Sequence, residues 1–413
     1  MKFKLAAVIL SLLLLLGCTP MPGNETVPTA STAGTTPSAP SDEPTLPPTA
    51  APAPSQQNGD SLLSVLFINV GRADAALIQT DGKSYLIDTG EKQSITALYR
   101  ALAVRGVTKL DGVFLTHTHA DHIGGMDALV QKYSVEKLYS AKISMNNNNG
   151  ENKIDKLAAK LSLPQTKLST GDKVEITADV YFEVLGPLVY NADDDNDNSL
   201  VMKLHAGDVT LLFTGDMQFA EENTLLGSKV DLTADVLKVA NHGNPDASSE
   251  AFIEAVGAKT AVISTNTAAD SDTPAPRVLS ALSKADVHVT QDYTCGVLLT
   301  IGNDGRINIS DSQPPAPVAN IAIQSIDKDA QTITLINNGS DADLSDYYII
   351  SEKGNEIFVF PEGAALKSGQ ALTVACMGGK GDYIWNDNKV WSKKGDEAGV
   401  LYDMYGNALS RAS

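Results

Sequence analysis

Thr116-His117-Thr118-His119-Ala120-Asp121-His122 follows the apolar run Val113-Phe114-Leu115. Three imidazoles and one carboxylate fall within the six residues His117–His122, which hold half of the chain's six histidines. The apolar run predicts a buried strand, and the spacing H-x-H-x-D-H suits a loop that leaves it and folds back. His117 and His119 alternate, so both can point to one side. Asp121 and His122 then begin the next turn and reach a neighbouring position. Imidazole nitrogen with carboxylate oxygen is a ligand set for zinc and, with more oxygen, for manganese or iron. A lone histidine is more often an ordinary hydrogen-bonded side chain, but this cluster is not one.

Other segments carry compatible residues. Leu86-Ile87-Asp88-Thr89-Gly90 puts Asp88 at the end of a buried strand, and Phe213-Thr214-Gly215-Asp216 repeats the device. Such ends are where α/β folds build their sites. Ala240-Asn241-His242-Gly243-Asn244 follows the strand-like run Val236–Val239, and Asn69-Val70-Gly71-Arg72-Ala73-Asp74 turns sharply after the first strand. Each segment alone reads equally well as a turn or a structural histidine. Together they predict that His117, His119 and His242 close one metal position. Asp121, His122 and a bridging Asp216 close a second. Two ions sharing a carboxylate form a clamp for hydrolysis.

Residues 61–311 resemble the metallo-β-lactamase superfamily, and more narrowly the metallohydrolase domain of the competence protein ComEC. The resemblance rests on Val70–Ala75, Leu86–Gly90, Thr116–Gly125, Asn198–Val201, Leu212–Asp216, Asp235–Val239, His242-Gly243 and Ala261–Ser264. It implies an α/β fold, an αββα sandwich, with two divalent ions (zinc or manganese) held by His117, His119, Asp121, His122, Asp216 and His242. Asp121 and Asp88 are the expected catalytic residues, Asp88 by orienting ligands. A phosphodiester substrate is implied, with single-stranded or short nucleic acid as the expected partner. The chain departs from the family pattern in four places. No histidine stands in Asp193–Ser199, upstream of the bridging Asp. The usual paired histidines are Asn241-His242 here, the usual Gln-Gly-Asp is Arg72-Ala73-Asp74, and the usual His-Pro turn is Thr273-Pro274-Ala275-Pro276. Either an amide, hydroxyl or carboxylate fills that ligand position or a ligand is missing, and an oxygen-rich position favours harder ions such as manganese or magnesium. Asp193, Asp195 and Asp197 have calcium-loop spacing, but Asn198 and Leu204 stand where that loop needs Gly and Glu. His205 and His288 have no motif around them.

The ends of the chain read differently. Lys2 and Lys4 precede the apolar run Leu5–Leu16, and Leu15-Leu16-Gly17-Cys18 resembles the lipobox of bacterial lipoproteins. Residues 1–18 are therefore expected to be a signal peptide, with Cys18 lipidated and the protein anchored outside the cytoplasm to a membrane. An ordinary secretory signal is the alternative. Residues 19–60 are Pro, Thr, Ser and Ala and read as a disordered tether. Residues 312–318, with Pro314-Pro315-Ala316-Pro317, mark a junction. Beyond it, short strand runs predict a small all-β sandwich over 319–413. Asn337-Asn338-Gly339, Phe358-Val359-Phe360-Pro361, Val390-Trp391 and Val400–Asp403 resemble a lamin-tail domain, which implies an immunoglobulin-like fold and an unknown surface ligand. Trp391 and Phe360 read as core. Cys295 and Cys376 read as buried thiols rather than a disulfide.

The chain carries net charge −19, and Ser61–Asp311 holds 21 Lys plus Arg against 33 Asp plus Glu. Long duplexes need clustered cations, and no basic run exists, which argues against tight, processive duplex binding. Two other functions stay open: hydrolysis of another ester, lactone or thioester on the same fold, and a catalytically degenerate surface-binding protein.

Overall fold

The computed structural model describes residues 61–145 and 151–413. The expected signal peptide with Cys18 and the tether 19–60 lie outside the described residues. Among the described residues no helix is long and apolar enough to cross a membrane.

Strand Ser61–Ile68 is buried along most of its length, so both faces of its sheet are covered. Successive side chains point to opposite faces. Val65 and Phe67 join the core between two sheets, while Leu66 and Ile68 join the core under the outer helices. The first sheet orders Ile307–Asp311, Gly296–Gly302, Ser61–Ile68, Ala76–Thr80, Lys83–Ile87, Gly112–Leu115, Leu138–Ala141 and Gln165–Leu168. The second orders Asp286–Val289, Thr260–Ile263, Val236–Lys238, Val209–Phe213, Val201–Ala206, Val180–Gly186 and Lys173–Glu175. Phe114 stacks on Tyr139 and meets Phe182, and Phe67 stacks on Phe213 across the interface. Helices Ile95–Val104, Met126–Lys132 and Lys153–Leu161 cover the first sheet; Phe219–Gly227, Glu250–Val256 and Pro276–Ala281 cover the second. The result is the expected αββα sandwich.

Each sheet is part antiparallel and part parallel. From Lys83–Ile87 onward the first sheet runs parallel, and so does the second from Val209–Phe213 to Asp286–Val289. The segments bearing Asp88, His117–His122, Asp216 and His242 all leave the C-terminal ends of these parallel strands. The topology therefore gathers them on one edge of the sandwich.

Residues 319–413 form a β-sandwich of two four-stranded sheets. One orders Ile321–Asp327, Thr332–Asn337, Ala371–Cys376 and Tyr383–Trp385; the other orders Ile357–Val359, Tyr348–Ser351, Gly399–Tyr402 and Ala408–Ala412. Phe360, Trp385 and Trp391 lie in its core. Cys295 and Cys376 are free and buried. The sandwich is not merely appended to the αββα unit. Tyr348, Ile350 and Ile357 belong to the same apolar cluster as Leu98, Tyr99 and Leu102 of helix Ile95–Val104. Tyr348 meets Tyr99 edge-on at 5.2 Å. Around that contact, Arg100 Nη2 donates to the Gly406 carbonyl and Lys92 Nζ to that of Gly354, each at 2.7 Å, and Lys132 Nζ donates to that of Asp346 at 3.0 Å.

Candidate metal centre

Thr116, next after strand Gly112–Leu115, fixes the start of the histidine loop. Its N–H donates to Asp88 Oδ1 and its hydroxyl to Asp88 Oδ2, each at 2.8 Å. His119 caps the short helix Ala120–Ile123, which turns Asp121 and His122 back towards the sheet edge. His122 Nδ1 donates to Asp88 Oδ2 at 2.8 Å, so once the ring is neutral its Nε2 carries the lone pair. That Nε2 lies 3.0 Å from Asp216 Oδ2. His242 repeats the arrangement with a different partner. Its Nδ1 donates to the Ser264 carbonyl at 2.9 Å, and its Nε2 lies 3.3 Å from Asp216 Oδ2 and 3.5 Å from Asp121 Oδ2. His117 Nδ1 faces the hydroxyls of Thr116 (3.1 Å) and Ser199 (3.3 Å), leaving Nε2 3.9 Å from Asp216 Oδ2. Three imidazole Nε2 atoms thus converge on one carboxylate oxygen.

The backbone is held in unusual conformations to achieve this. Asn241 and His242 have φ of 46° and 56°, and Asp88 has φ 57°. Non-glycine residues avoid this left-handed region, and such strain concentrates at functional sites. Gly215, at φ +51°, has no room for a side chain: a Cβ there would lie 2.9 Å from Ser199 Cβ.

Electrostatics follow from the crowding. Burial would lower the His122 and His242 pKa values, but Asp216 and the neighbouring Asp88 or Asp121 outweigh it. His242 is held up at about 10, and His122 well above the imidazole range. Burial would raise Asp216 and Asp121, yet the facing imidazoles hold both below the carboxylate range. His117, buried and repelled by His122, drops to about 3 and is neutral.

The donor chemistry fits a divalent cation. Nε2 of His117, His122 and His242, Oδ1 of Asp216 and Oδ1 of Asp74 are all buried without a hydrogen-bond partner. Orphaned buried donors and acceptors are costly, and a metal ion satisfies them together. Ligand atoms of Asp74, His122, Asp216 and His242 lie within 4.8 Å of one another.

The metallo-β-lactamase superfamily model matches residues 68–267 and the lamin tail domain model residues 314–413. The chain carries a metallo-β-lactamase domain. This hydrolase-fold domain, with its metal-binding site, is followed by a lamin tail domain. The chain is 30% identical over 250 residues to ComE operon protein 3 of Bacillus subtilis, covering 56% of this chain and 32% of that protein. It is 29% identical over 203 residues to competence protein ComA of Neisseria gonorrhoeae, covering 49% of this chain and 27% of that protein. The match therefore spans about a third of these relatives' length or less. Among solved structures, the metallo-β-lactamase-fold protein YhfI of Bacillus subtilis matches at TM-score 0.38 and 15% identity, over 58% of this chain and 99% of that one.

Within the metallo-β-lactamase domain, one expectation is corrected. His242 does not close a position with His117 and His119. The carbonyl of Ser264 turns its ring so that Nε2 faces Asp121 and Asp216. One position therefore groups Asp121, His122, Asp216 and His242, and the other has His117 and His119, whose rings lie 4.7 Å apart, beside Asp216. His119 is half-buried and stands outside the tight group.

The region without a histidine is filled by hydroxyl and carboxylate groups. Ser199 Oγ accepts from the N–H of Asp216 at 3.1 Å and faces His117. Asp195 accepts from the N–H groups of Thr118 and Met145, and Asp197 from those of Gln218 and Glu221. These carboxylates pin loops together, so their spacing does not make a calcium loop. His205 pairs with Glu183 and His288 with Tyr293, both away from the centre.

Sequence reasoning named neither Asp74 nor Lys238 as a site residue. Asp74 lay in a quoted motif, but nothing local distinguishes it from a turn residue. Lys238, at the end of an apolar strand, reads as a surface cation.

Proposed function

We propose that the metallo-β-lactamase domain is a metal-dependent phosphodiesterase acting on single-stranded or short nucleic acid. The observation that carries the hydrolytic part is the convergence of the His117, His122 and His242 Nε2 atoms on Asp216 Oδ2. When bound there, a pair of divalent ions activates water and stabilises charge developing on a phosphoryl oxygen. The chain's residues supply the rest. Asp88 and Ser264 fix the imidazole tautomers, Asp216 stands between the two positions, and Asp121 and His242 close one side.

Three observations favour a phosphodiester. One relative is a competence protein by name, which supports a DNA-related role for the shared domain. The segment Asp193–Ser199, which has no histidine, brings hydroxyl and carboxylate groups beside His117 instead, and oxygen donors suit manganese. Cations are few in this acidic chain: Lys153 Nζ donates to the Thr118 carbonyl of the histidine loop, and Arg72 is exposed beside Asp270. Few cations suit short substrates better than long duplexes. Lipidation at Cys18 and the tether 19–60 complete the proposal by placing the enzyme outside the cytoplasm at a membrane surface, with the lamin tail domain engaging a surface ligand.

The test is metal analysis of residues 61–413 together with cleavage of single-stranded DNA and bis-p-nitrophenyl phosphate, with and without manganese. Metal-dependent cleavage lost in Asp121→Ala is expected. Bound metal without cleavage of either substrate would overturn the phosphodiesterase reading and leave another ester or a thioester.

A further inference from the structure

Asp74 and Lys238 form a buried ion pair at the metal centre. The backbone of Asp74 is held on both sides: its N–H donates to the Asp121 carbonyl at 3.2 Å, and its own carbonyl accepts from Gly90 N–H at 2.8 Å. The turn Asn69–Asp74 is thereby fastened to both the histidine loop and the Asp88 loop. The Asp74 side chain is 5% exposed, and so is Lys238. Lys238 Nζ donates to Asp74 Oδ2 at 2.7 Å and to the Val239 carbonyl at 3.1 Å. Among the described residues Asp74 Oδ1 has no hydrogen-bond partner.

A buried carboxylate with one satisfied oxygen and one bare oxygen is half-compensated. The bare oxygen needs a donor or a cation. An Asp74 carboxylate oxygen also lies within 4.8 Å of ligand atoms of His122, Asp216 and His242. A lysine this deep beside a metal centre would repel an ion unless a carboxylate stood between them. Asp74 is the carboxylate that takes up the Lys238 charge.

We propose that Asp74 is a ligand of the position formed by Asp121, His122, Asp216 and His242, and that Lys238 is the positioning residue that aims it. Lys238 occupies Oδ2 and leaves Oδ1 free for the ion. The two metal positions are consequently unequal. The first has two imidazoles and three carboxylates. The second has His117, His119 and the shared Asp216, with no third imidazole among the described residues, and the hydroxyls of Thr116 and Ser199 face His117 Nδ1. The first binds its ion tightly and the second weakly. This inference rests on the metal centre and not on the choice of substrate.

The test is calorimetric titration of metal-free protein with manganese alone, with the cobalt absorption spectrum as a second readout. Wild type is expected to bind two ions in steps about tenfold or more apart in affinity. Asp74→Asn and Lys238→Met should each weaken the tighter step by about 10–100-fold, the usual effect of losing a metal-orienting partner. Lys238→Arg should restore part of it, and His119→Ala should remove the weaker step alone. Because each single change leaves a buried charge unpaired, the double variant Asp74→Asn/Lys238→Met provides a neutral background with the same predicted loss. Two equal steps, or an unchanged tighter step in the folded double variant, would overturn the proposal. Two unequal steps in a protein that cleaves no phosphodiester would remove the substrate reading and leave this one standing.

Discussion

His122 is held between two carboxylates: Nδ1 lies 2.8 Å from Asp88 Oδ2 and Nε2 lies 3.0 Å from Asp216 Oδ2. One contact sets the tautomer and the other marks where the ion belongs. Asp88→Asn keeps a residue type that tolerates the left-handed φ of 57° but replaces the charged acceptor by an amide. Metal affinity is expected to fall by about 10–100-fold with the fold intact. Equilibrium dialysis against manganese, with circular dichroism as the folding control, checks this. Unchanged affinity would mean that Asp88 does not orient the ligand.

The metal-free protein should show a defined pH dependence. In the folded state Asp216 raises His242 from 6.5 to about 10 despite burial, and His122 rises well above its ordinary value. A raised imidazole stabilises fully below 6.5, and that contribution is lost as pH climbs through about 10. Asp216 is depressed below 3.8, so its contribution is present above 3.8 and lost as pH falls. Thermal unfolding in chelator should therefore decline from about pH 6.5 towards pH 10, while below 6.5 His117, held neutral down to about 3, works against stability as pH falls. At about pH 7, metal binding must displace protons from His122 and His242. Calorimetry in buffers of different ionisation enthalpy reads this release directly, and a buffer-independent heat would contradict it.

Gly215→Ala probes the approach of two strand ends. The added Cβ meets Ser199 Cβ at 2.9 Å and Thr116 Cβ at 3.2 Å, on a residue at φ +51°. The strain is expected to cost about 1–3 kcal/mol and to displace Asp216, the next residue. Loss of bound metal together with a lower denaturation midpoint is the expected pair of results.

Tyr348→Ala tests whether the two domains share their stability. Tyr348 is fully buried, edge-on to Tyr99 and stacked on Tyr402 at 5.0 Å. The change should cost about 3–5 kcal/mol. Because Tyr348 packs against helix Ile95–Val104, the loss should register in the hydrolase domain as well. Hydrogen exchange on that helix is the check, and protection unchanged there would mean independent domains.

Much of the αββα unit was legible in residues close together in sequence. Strand Gly112–Leu115 falls where its apolar run predicts it, and strands Lys83–Ile87, Val209–Phe213 and Val236–Lys238 end just before the segments bearing Asp88, Asp216 and His242, as expected. Strands Leu138–Ala141, Gln165–Leu168 and Val180–Gly186 and helix Phe219–Gly227 are less legible. Much of what decides them is burial against partners far away in the chain. Strands Gly399–Tyr402 and Ala408–Ala412 escaped for the same reason.

The sequence by itself determined the chemistry of the centre. The H-x-H-x-D-H cluster and the strand-terminal Asp88 and Asp216 name imidazole and carboxylate donors whatever their final arrangement. Only the tertiary structure decided how they are shared. His242 joins Asp121 because a carbonyl in the following strand segment, Ser264, turns its ring. Asp74 joins the centre because Lys238, distant in the chain, occupies one of its oxygens. Ligand grouping depends on which way each side chain is turned, and that is set by hydrogen bonds between residues that no local spacing brings together.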